Sequence, residues 1–360
     1  MKILVNGKFL TQKFSGVQRF AFELTKFLIK SELTELVIPK KIEFRYNHIY
    51  NRAKTKSVGI TKGVSWEQIE LPFYLKKLKG DKLLLNLGNT APLIYEKNIV
   101  TSHGLAWKFY PHLYSKRFVS WYNFLIPRLL KKALLILTVS KTVKEELIEI
   151  YNIPEEKIEI LYPGVSPFFR PLENISKNHY ILFVGSINPI KNLSSLIEAF
   201  KLISEDFQEL ELWIVGESNV KIFVSQASYS GLQVSLIKRI KFLGFKEDNE
   251  LVRLYSNALC LVLPSLYETF SFPVLEALAC GCPVIVSDLK VMHELYGDSL
   301  LYINPLDPTD IASKIVTLLK KEEMRLKLRE KGIKIAKEFT WEKSYERLRN
   351  ILKTRFNVDL

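Results

Sequence analysis

A chain of 360 residues with 48% hydrophobic and 12% aromatic side chains can fill two globular cores of ordinary size. No apolar run reaches the ~20 residues of a membrane-spanning helix, and the start MKILVNGKFL turns polar too soon for a signal peptide. The net charge of +14 belongs to the first half, since residues 1–170 carry 28 Lys/Arg against 14 Asp/Glu and residues 171–360 carry 24 against 24; this points to anionic partners without choosing among phosphate, membrane and nucleic acid.

Lys2 to Asn6 reads as a buried parallel strand, followed by a loop bearing Gly16 and a helix from about Val17 to Lys30. Phe20, Leu24, Phe27 and Leu28 share one face of that helix. Strand, glycine-bearing loop and helix is a geometry that cradles phosphate, although one glycine can equally serve only to turn the chain. Further strands are expected at Leu36–Ile38, Lys82–Asn86, Ile99–Ser102 and Leu134–Val139, with the Lys-rich 40–63 a variable loop. His103 follows the third of these strands, at the carboxyl end where open α/β sheets place their ligands. Tyr114–Lys132 is aromatic and basic: a core helix with a solvated edge, or a segment that docks on anionic lipid. Pro127 should kink or break it. Ser140 is a good N-cap, and Thr142 and Glu145 have capping-box spacing, for a helix over Val143–Tyr151. Three prolines between Pro163 and Pro171 forbid regular structure, which places a linker there and divides the chain at about residues 165 and 172.

The strand–loop–helix–strand pattern then restarts: Tyr180–Val184, the loop Gly185–Asn192, a helix Leu193–Ile203 and a strand Glu211–Val215 ending at Gly216-Glu217. A lysine just ahead of a helix, as Lys191 is, sits beside a positive dipole end and is best placed there with an anion. After the strands Ile240–Gly244 and Asn257–Pro264, with a helix from a capping Asp248 between them, comes the string SLYETFSFPVLEALACGCPVIVSD, residues 265–288. It reads as a loop, a short helix Val274–Ala279 begun by Pro273, a stop at Gly281 and a buried strand Val284–Val286. Cys260, Cys280 and Cys282 are too few for a disulfide framework or a metal set and read as core-lining thiols in a reducing cytoplasm. Helices are expected over Thr309–Leu319, Glu322–Phe339 and Ser344–Phe356.

The string E-x-F-x-x-P-x-x-E followed by A-x-x-C-G-x-P-V-I resembles the signature of the family-4 retaining glycosyltransferases, with mannosyltransferase-like features. G-S-x-x-P-x-K-N at 185–192 resembles the family's second signature. The resemblance implies an α/β, GT-B fold: two facing Rossmann-like domains, with the last helix (from about 343) returning to the acceptor-side N-terminal domain. It implies that Glu268 lies against the transferred sugar, that Glu276 binds ribose hydroxyls, and that Lys191 and Ser186 meet the donor phosphates. It also implies that His103 stands near the donor sugar and that Gly16 lets the backbone approach the diphosphate. Thr269, Phe270, Ser271 and Phe272 would line the donor site. Gly104 stands where the family has Asp, Thr269 and Ser271 where it has Gly, and Ser186 where Arg is usual.

The expected reaction is retaining transfer of a hexose, first of all mannose from GDP-mannose, to a glycan or lipid-linked hydroxyl by a cytoplasmic enzyme at the inner face of the membrane. No D-x-D occurs, so no divalent metal and no cofactor is expected. Other readings are a GT-B phosphorylase or epimerase, or a basic nucleic-acid-binding protein on a degenerate scaffold. No nucleic-acid-binding motif is present, and nucleic acid is not the expected partner.

Overall fold

Apolar runs without alternation, such as KILVN at Lys2–Asn6 and YILFV at Tyr180–Val184, suit strands covered on both faces. In the computed structural model, which describes residues 1–40, 54–173, 179–216 and 234–360, these runs build two wholly parallel sheets. Each sheet belongs to its own compact unit, Met1–Gly164 with Trp341–Leu360, and Val165–Thr340. The expected strands and helices are nearly all present in both units. Of the expected loop at 40–63, residues 41–53 lie outside the described residues, as does Glu217, while Thr55–Val58 is a strand rather than loop.

The first unit has strands β1 (Lys2–Asn6), β2 (Thr34–Pro39), β3 (Thr55–Val58), β4 (Lys82–Asn86), β5 (Asn98–Ser102), β6 (Leu135–Thr138) and β7 (Ile158–Ile160). Their order is β3-β2-β1-β4-β5-β6-β7, so the direction of winding reverses between β1 and β4. Helix α1 (Gly16–Leu28) buries Phe20, Leu24 and Leu28. A π-helical turn, Trp66–Glu70, leads into α2 (Leu71–Lys77).

Helix α3 (Lys116–Lys132) runs through Pro127 without the expected break. Pro127 has no N–H for the Asn123 carbonyl, and one residue on Arg128 Nη1 donates to the Phe124 carbonyl at 2.8 Å. Leu125, Ile126, Leu129 and Leu130 anchor this helix to the core. Helix α4 (Lys141–Tyr151) starts at Ser140, whose hydroxyl accepts from the Val143 N–H at 3.3 Å; Thr142 lies inside the first turn and is no cap.

The second unit repeats the plan with α5 (Leu193–Ile203), α6 (Asp248–Asn257), α7 (Phe272–Ala279), α8 (Lys290–Tyr296), α9 (Pro308–Lys320) and α10 (Glu322–Ala336). Its strands β8 (Tyr180–Val184), β9 (Glu211–Val215), β10 (Ile240–Gly244), β11 (Cys260–Leu263), β12 (Val284–Ser287) and β13 (Leu301–Ile303) lie in the order β10-β9-β8-β11-β12-β13. The cap of α6 is Glu247, in a reciprocal capping box with Glu250, rather than the expected Asp248. The carboxylate of Asp307 caps α9. Helix α7 closes at Gly281, whose φ of +72° suits a residue without Cβ.

The last helix, α11 (Trp341–Phe356), belongs to the first unit and begins at Trp341, ahead of the expected Ser344. Tyr345 stacks on Phe27 with ring centroids 5.3 Å apart, Trp341 meets Phe20 edge-on, and Arg347 pairs with Glu159 at 2.7 Å. These contacts explain why helix and N-terminal sheet form one unit despite their separation in sequence.

Candidate functional site

In a doubly wound sheet the loops leaving the two strands at the reversal point diverge and leave room for a ligand. In the second unit those strands are β8 and β11. The chain leaves β8 through Gly185 and Ser186, then makes a 3₁₀ turn, Pro189–Lys191, capped by Asn188. Asn188 Oδ1 accepts from the Lys191 N–H and Asn188 Nδ2 donates to Ser186 Oγ at 2.9 Å. Asn192, at φ +50°, donates to the Pro305 carbonyl at 2.7 Å and accepts from Ser195 at 2.9 Å. Behind the loop, a Cβ on Gly216 would stand 1.9 Å from the Gly185 carbonyl oxygen, so glycine is required there.

This scaffold aims Lys191 at the loop that leaves β11. Lys191 Nζ lies 2.5 Å from Glu268 Oε1, and Ser265 Oγ donates to the same oxygen at 2.8 Å. The lysine and glutamate side chains are 20% and 10% exposed, so the pair is shielded but within reach of a ligand. Ser265, Glu268, Ser271, Ser287 and Met292 line one narrow crevice. The hydroxyls of Ser271 and Ser287 are buried there without a hydrogen-bond partner.

Ser271 stands at the head of α7 with φ +70°, a conformation that disfavours any residue with a Cβ. The expected glycine is thus absent while its backbone conformation is kept. Phe270 does not present its ring to this crevice. Its side chain is buried against Tyr296 and Phe339, so any donor contact from Phe270 is made by its backbone. Thr269 and Phe272 are partly exposed, and Ser186 is exposed.

Glu276 is placed differently from Glu268. It sits in mid-helix on the buried face of α7, 4% exposed, and Oε2 accepts from the Tyr255 hydroxyl at 3.1 Å. The string alone suggests that Glu268 and Glu276 both face the cleft; α7 instead turns the second one inward. Burial pushes the Cys260 and Cys280 thiols up to about 12, and Cys282 also lies in the core.

In the first unit, Gly16 is the exposed first residue of α1 and keeps a negative φ, so its conformation does not demand glycine. His103 follows β5. Its Nε2 is 2.8 Å from the Leu87 carbonyl, its backbone N–H donates to Asn89 Oδ1 at 2.8 Å, and Phe20 packs edge-on against the ring. Burial pushes the imidazole down to about 4, so near neutrality His103 is uncharged, with Nε2–H given to Leu87 and Nδ1 left as an acceptor. It is thus fitted to hold a hydroxyl, not to supply a cation. Gly104 has φ +116°, a backbone that an aspartate would adopt only under strain.

Sequence reasoning did not single out Asn188, Ser287 or Tyr255. Ser287 ends a parallel strand, which is a legible signal; nothing local marks Tyr255, which reaches Glu276 from a different helix. Among the described residues no group of three His, Cys, Asp or Glu side chains is arranged to hold a metal ion.

The family described as Glycosyl transferases group 1 matches residues 166–335, and Glycosyltransferase Family 4 matches residues 95–167. The O-antigen chain mannosyltransferase RfbU of Salmonella typhimurium is 34% identical over 243 residues, which cover 67% of this chain and 66% of that protein. O-antigen chain mannosyltransferase B of Escherichia coli is 28% identical over 268 residues, covering 69% of this chain and 68% of the relative. Among solved structures, HepE of Anabaena in complex with UDP superposes with a TM-score of 0.77 at 16% identity, covering 98% of this chain and all of that one.

Two parallel Rossmann-like units of this topology define the GT-B class of α/β protein. The chain belongs to the family-4 glycosyltransferases, a family of hexosyl-transferring enzymes.

Proposed function

We propose that this enzyme transfers a hexose, in the first place mannose from GDP-mannose, to a hydroxyl of a glycan or lipid-linked acceptor, with retention at the anomeric carbon. The observation that carries the reading is the Lys191–Glu268 pair at 2.5 Å, held where two loops diverge at the reversal point of the second sheet. A cation and a carboxylate side by side suit a reaction that expels a diphosphate while positive charge grows on a sugar carbon. The choice of mannose is supported by the two O-antigen mannosyltransferases among the relatives.

In the proposed step the bond between the anomeric carbon and the phosphate oxygen breaks, and its electron pair leaves with the diphosphate. Lys191 and the backbone N–H groups at the head of α7 receive that charge. The acceptor oxygen bonds to the same face of the anomeric carbon, and its proton passes to the departing phosphate oxygen. Glu268 faces the developing oxocarbenium ion or a sugar hydroxyl, Ser271 and Ser287 offer hydroxyls to the sugar, and Glu276 holds ribose. Thr269 and Phe272 border the donor, with Phe270 contributing backbone. Ser186 borders the phosphates, and in the first unit His103 offers Nδ1 to a sugar hydroxyl. With cationic charge supplied by Lys191, the step needs no divalent metal.

A thermal-shift screen against GDP-, UDP- and TDP-sugars, with and without EDTA, tests the donor; the anomer formed, read by NMR, tests retention. Stabilisation by no nucleotide sugar, or an inverted product, overturns the reading.

The acceptor's lipid anchor is supported by α3, whose outer side exposes Lys116, Arg117 and Ser120 beside Trp121 and Phe124, with Phe124 45% exposed. Such a basic–aromatic side suits peripheral docking on an anionic leaflet at the cytoplasmic face. Among the described residues no helix is long and apolar enough to cross a membrane. Co-sedimentation with phosphatidylglycerol vesicles should fall on Trp121→Ser with Lys116→Gln; unchanged binding rejects the docking site.

A further inference from the structure

The first unit carries a second lysine–carboxylate pair, at the place in its sheet that corresponds to the first. Lys8 follows β1 as Lys191 follows β8, and each lysine stands beside the reversal point of its own sheet. Lys8 Nζ lies 2.7 Å from Glu67 Oε2 and 2.8 Å from Thr90 Oγ1. Asn6 Nδ2 and Thr90 Oγ1 each donate to Glu67 Oε1 at 3.1 Å. Asn6 also donates to Asn86, and Asn86 to Asn98, so the network crosses the sheet.

Glu67 is 1% exposed and Lys8 9%. Burying such a pair costs desolvation that its attraction barely returns, and apolar side chains of equal volume commonly serve the fold as well. Packing alone therefore gives little reason for charge at this position. Glu67 also sits in the π-helical turn Trp66–Glu70, a distortion concentrated at functional sites.

The pair opens onto a cavity of about 170 Å³. That volume holds about five waters at ~30 Å³ each, or one six-membered sugar ring. It is lined by the polar residues Gln12, Asn89 and Thr90, by Tyr122, and by Phe9, which is 3% exposed. Sugar hydroxyls donate and accept at once, and ring C–H groups pack on aromatic faces, so this mixture matches a saccharide. Because ammonium and carboxylate neutralise each other, a phosphate or uronate entering the cavity would meet Glu67 without a spare cation. Asn89, in turn, holds the backbone of His103 at 2.8 Å, tying the cavity wall to the residue proposed to face the transferred sugar.

We propose that this cavity receives a neutral hexose at the end of the acceptor, read by the Lys8–Glu67–Thr90 floor. The word acceptor rests on the transferase reading; binding of the hexose itself does not. The test uses the full chain, with saturation-transfer NMR and calorimetry against the methyl α-glycosides of mannose, glucose, galactose and N-acetylglucosamine, and against glucuronate and mannose 6-phosphate. The same samples are titrated with GDP and UDP. At least one neutral glycoside should bind while both charged sugars fail. Thr90→Val and Gln12→Ala should weaken it at least tenfold with diphosphate affinity unchanged, and should raise the acceptor KM without moving the donor KM. Gln12 is exposed, so its variant folds even if a change in the floor does not. Preference for a charged sugar, no glycoside binding, or unaltered binding by the Gln12 variant overturns the inference. Nucleotide binding without glycoside binding defeats this proposal alone. Glycoside binding without turnover of any nucleotide sugar defeats the transferase reading alone.

Discussion

Replacing Glu268 with glutamine should tighten the grip on a free nucleoside diphosphate while slowing sugar transfer. Lys191 is engaged by Glu268, its Nζ 2.5 Å from Oε1 with the two side chains 20% and 10% exposed. A charge-assisted hydrogen bond of this kind contributes about 1.5–3 kcal/mol, and partial solvent access argues for the lower end. An incoming phosphate must exchange that bond for its own and also approach a carboxylate. Glutamine keeps the shape, releases the ammonium and removes the repulsion. A gain of about 1–2 kcal/mol follows, a five- to thirtyfold lower Kd. Calorimetric titration of GDP and UDP into wild type, Glu268→Gln, Lys191→Met and the double variant measures it. Lys191→Met should weaken binding at least tenfold, and the gain from Glu268→Gln should vanish in that background. Turnover should fall in both single variants, because the carboxylate no longer faces the sugar or the cation no longer meets the leaving group. If Glu268→Gln binds diphosphate no better than wild type, or the gain survives without Lys191, Glu268 does not compete with phosphate for Lys191.

His103 should make the protein acid-sensitive. Its imidazole titrates near 6.5 unfolded and about 4 folded, so between these values the unfolded chain binds the extra proton. Stability is complete above 6.5 and is lost as pH falls towards 4, by about 3 kcal/mol at most. Urea unfolding from pH 4 to 7 should show this slope in wild type and a flatter one in His103→Gln; equal slopes reject the assignment. Ser271→Gly should stabilise the protein. It removes a strain of roughly 1–2 kcal/mol at φ +70° and a buried unpartnered hydroxyl, against about 0.5–1 kcal/mol of glycine's chain entropy, leaving a gain near 1 kcal/mol. A lower urea midpoint would contradict it. Gly216→Ala should cost about 3 kcal/mol or more, because its Cβ would meet the Gly185 carbonyl at 1.9 Å and push aside the loop that carries Lys191. Melting temperature and diphosphate affinity should fall together; an unperturbed variant would contradict the close approach.

Most of the fold and part of the site are legible in the one-dimensional pattern. Unbroken apolar runs, their spacing and the glycine, proline and serine punctuation locate the strands and helices of both sheets, because burial on two faces and helix capping are local demands. The strings around Lys191 and Glu268 are legible for the same reason: each is a strand end followed by a turn, and strand ends in parallel sheets are where ligands sit. Tertiary structure alone decides which side chains meet. Glu276 turns inward to Tyr255, Phe270 joins the core, and Lys8 finds Glu67 and Thr90 across 59 and 82 residues of chain. Pro127 stays within a helix whose neighbouring side chains are buried in the core, so packing outweighs local preference there. Local periodicity thus determines where this chain forms sheet and helix. Which charges end up paired, and which are left to a ligand, depends on distances that no window of sequence contains.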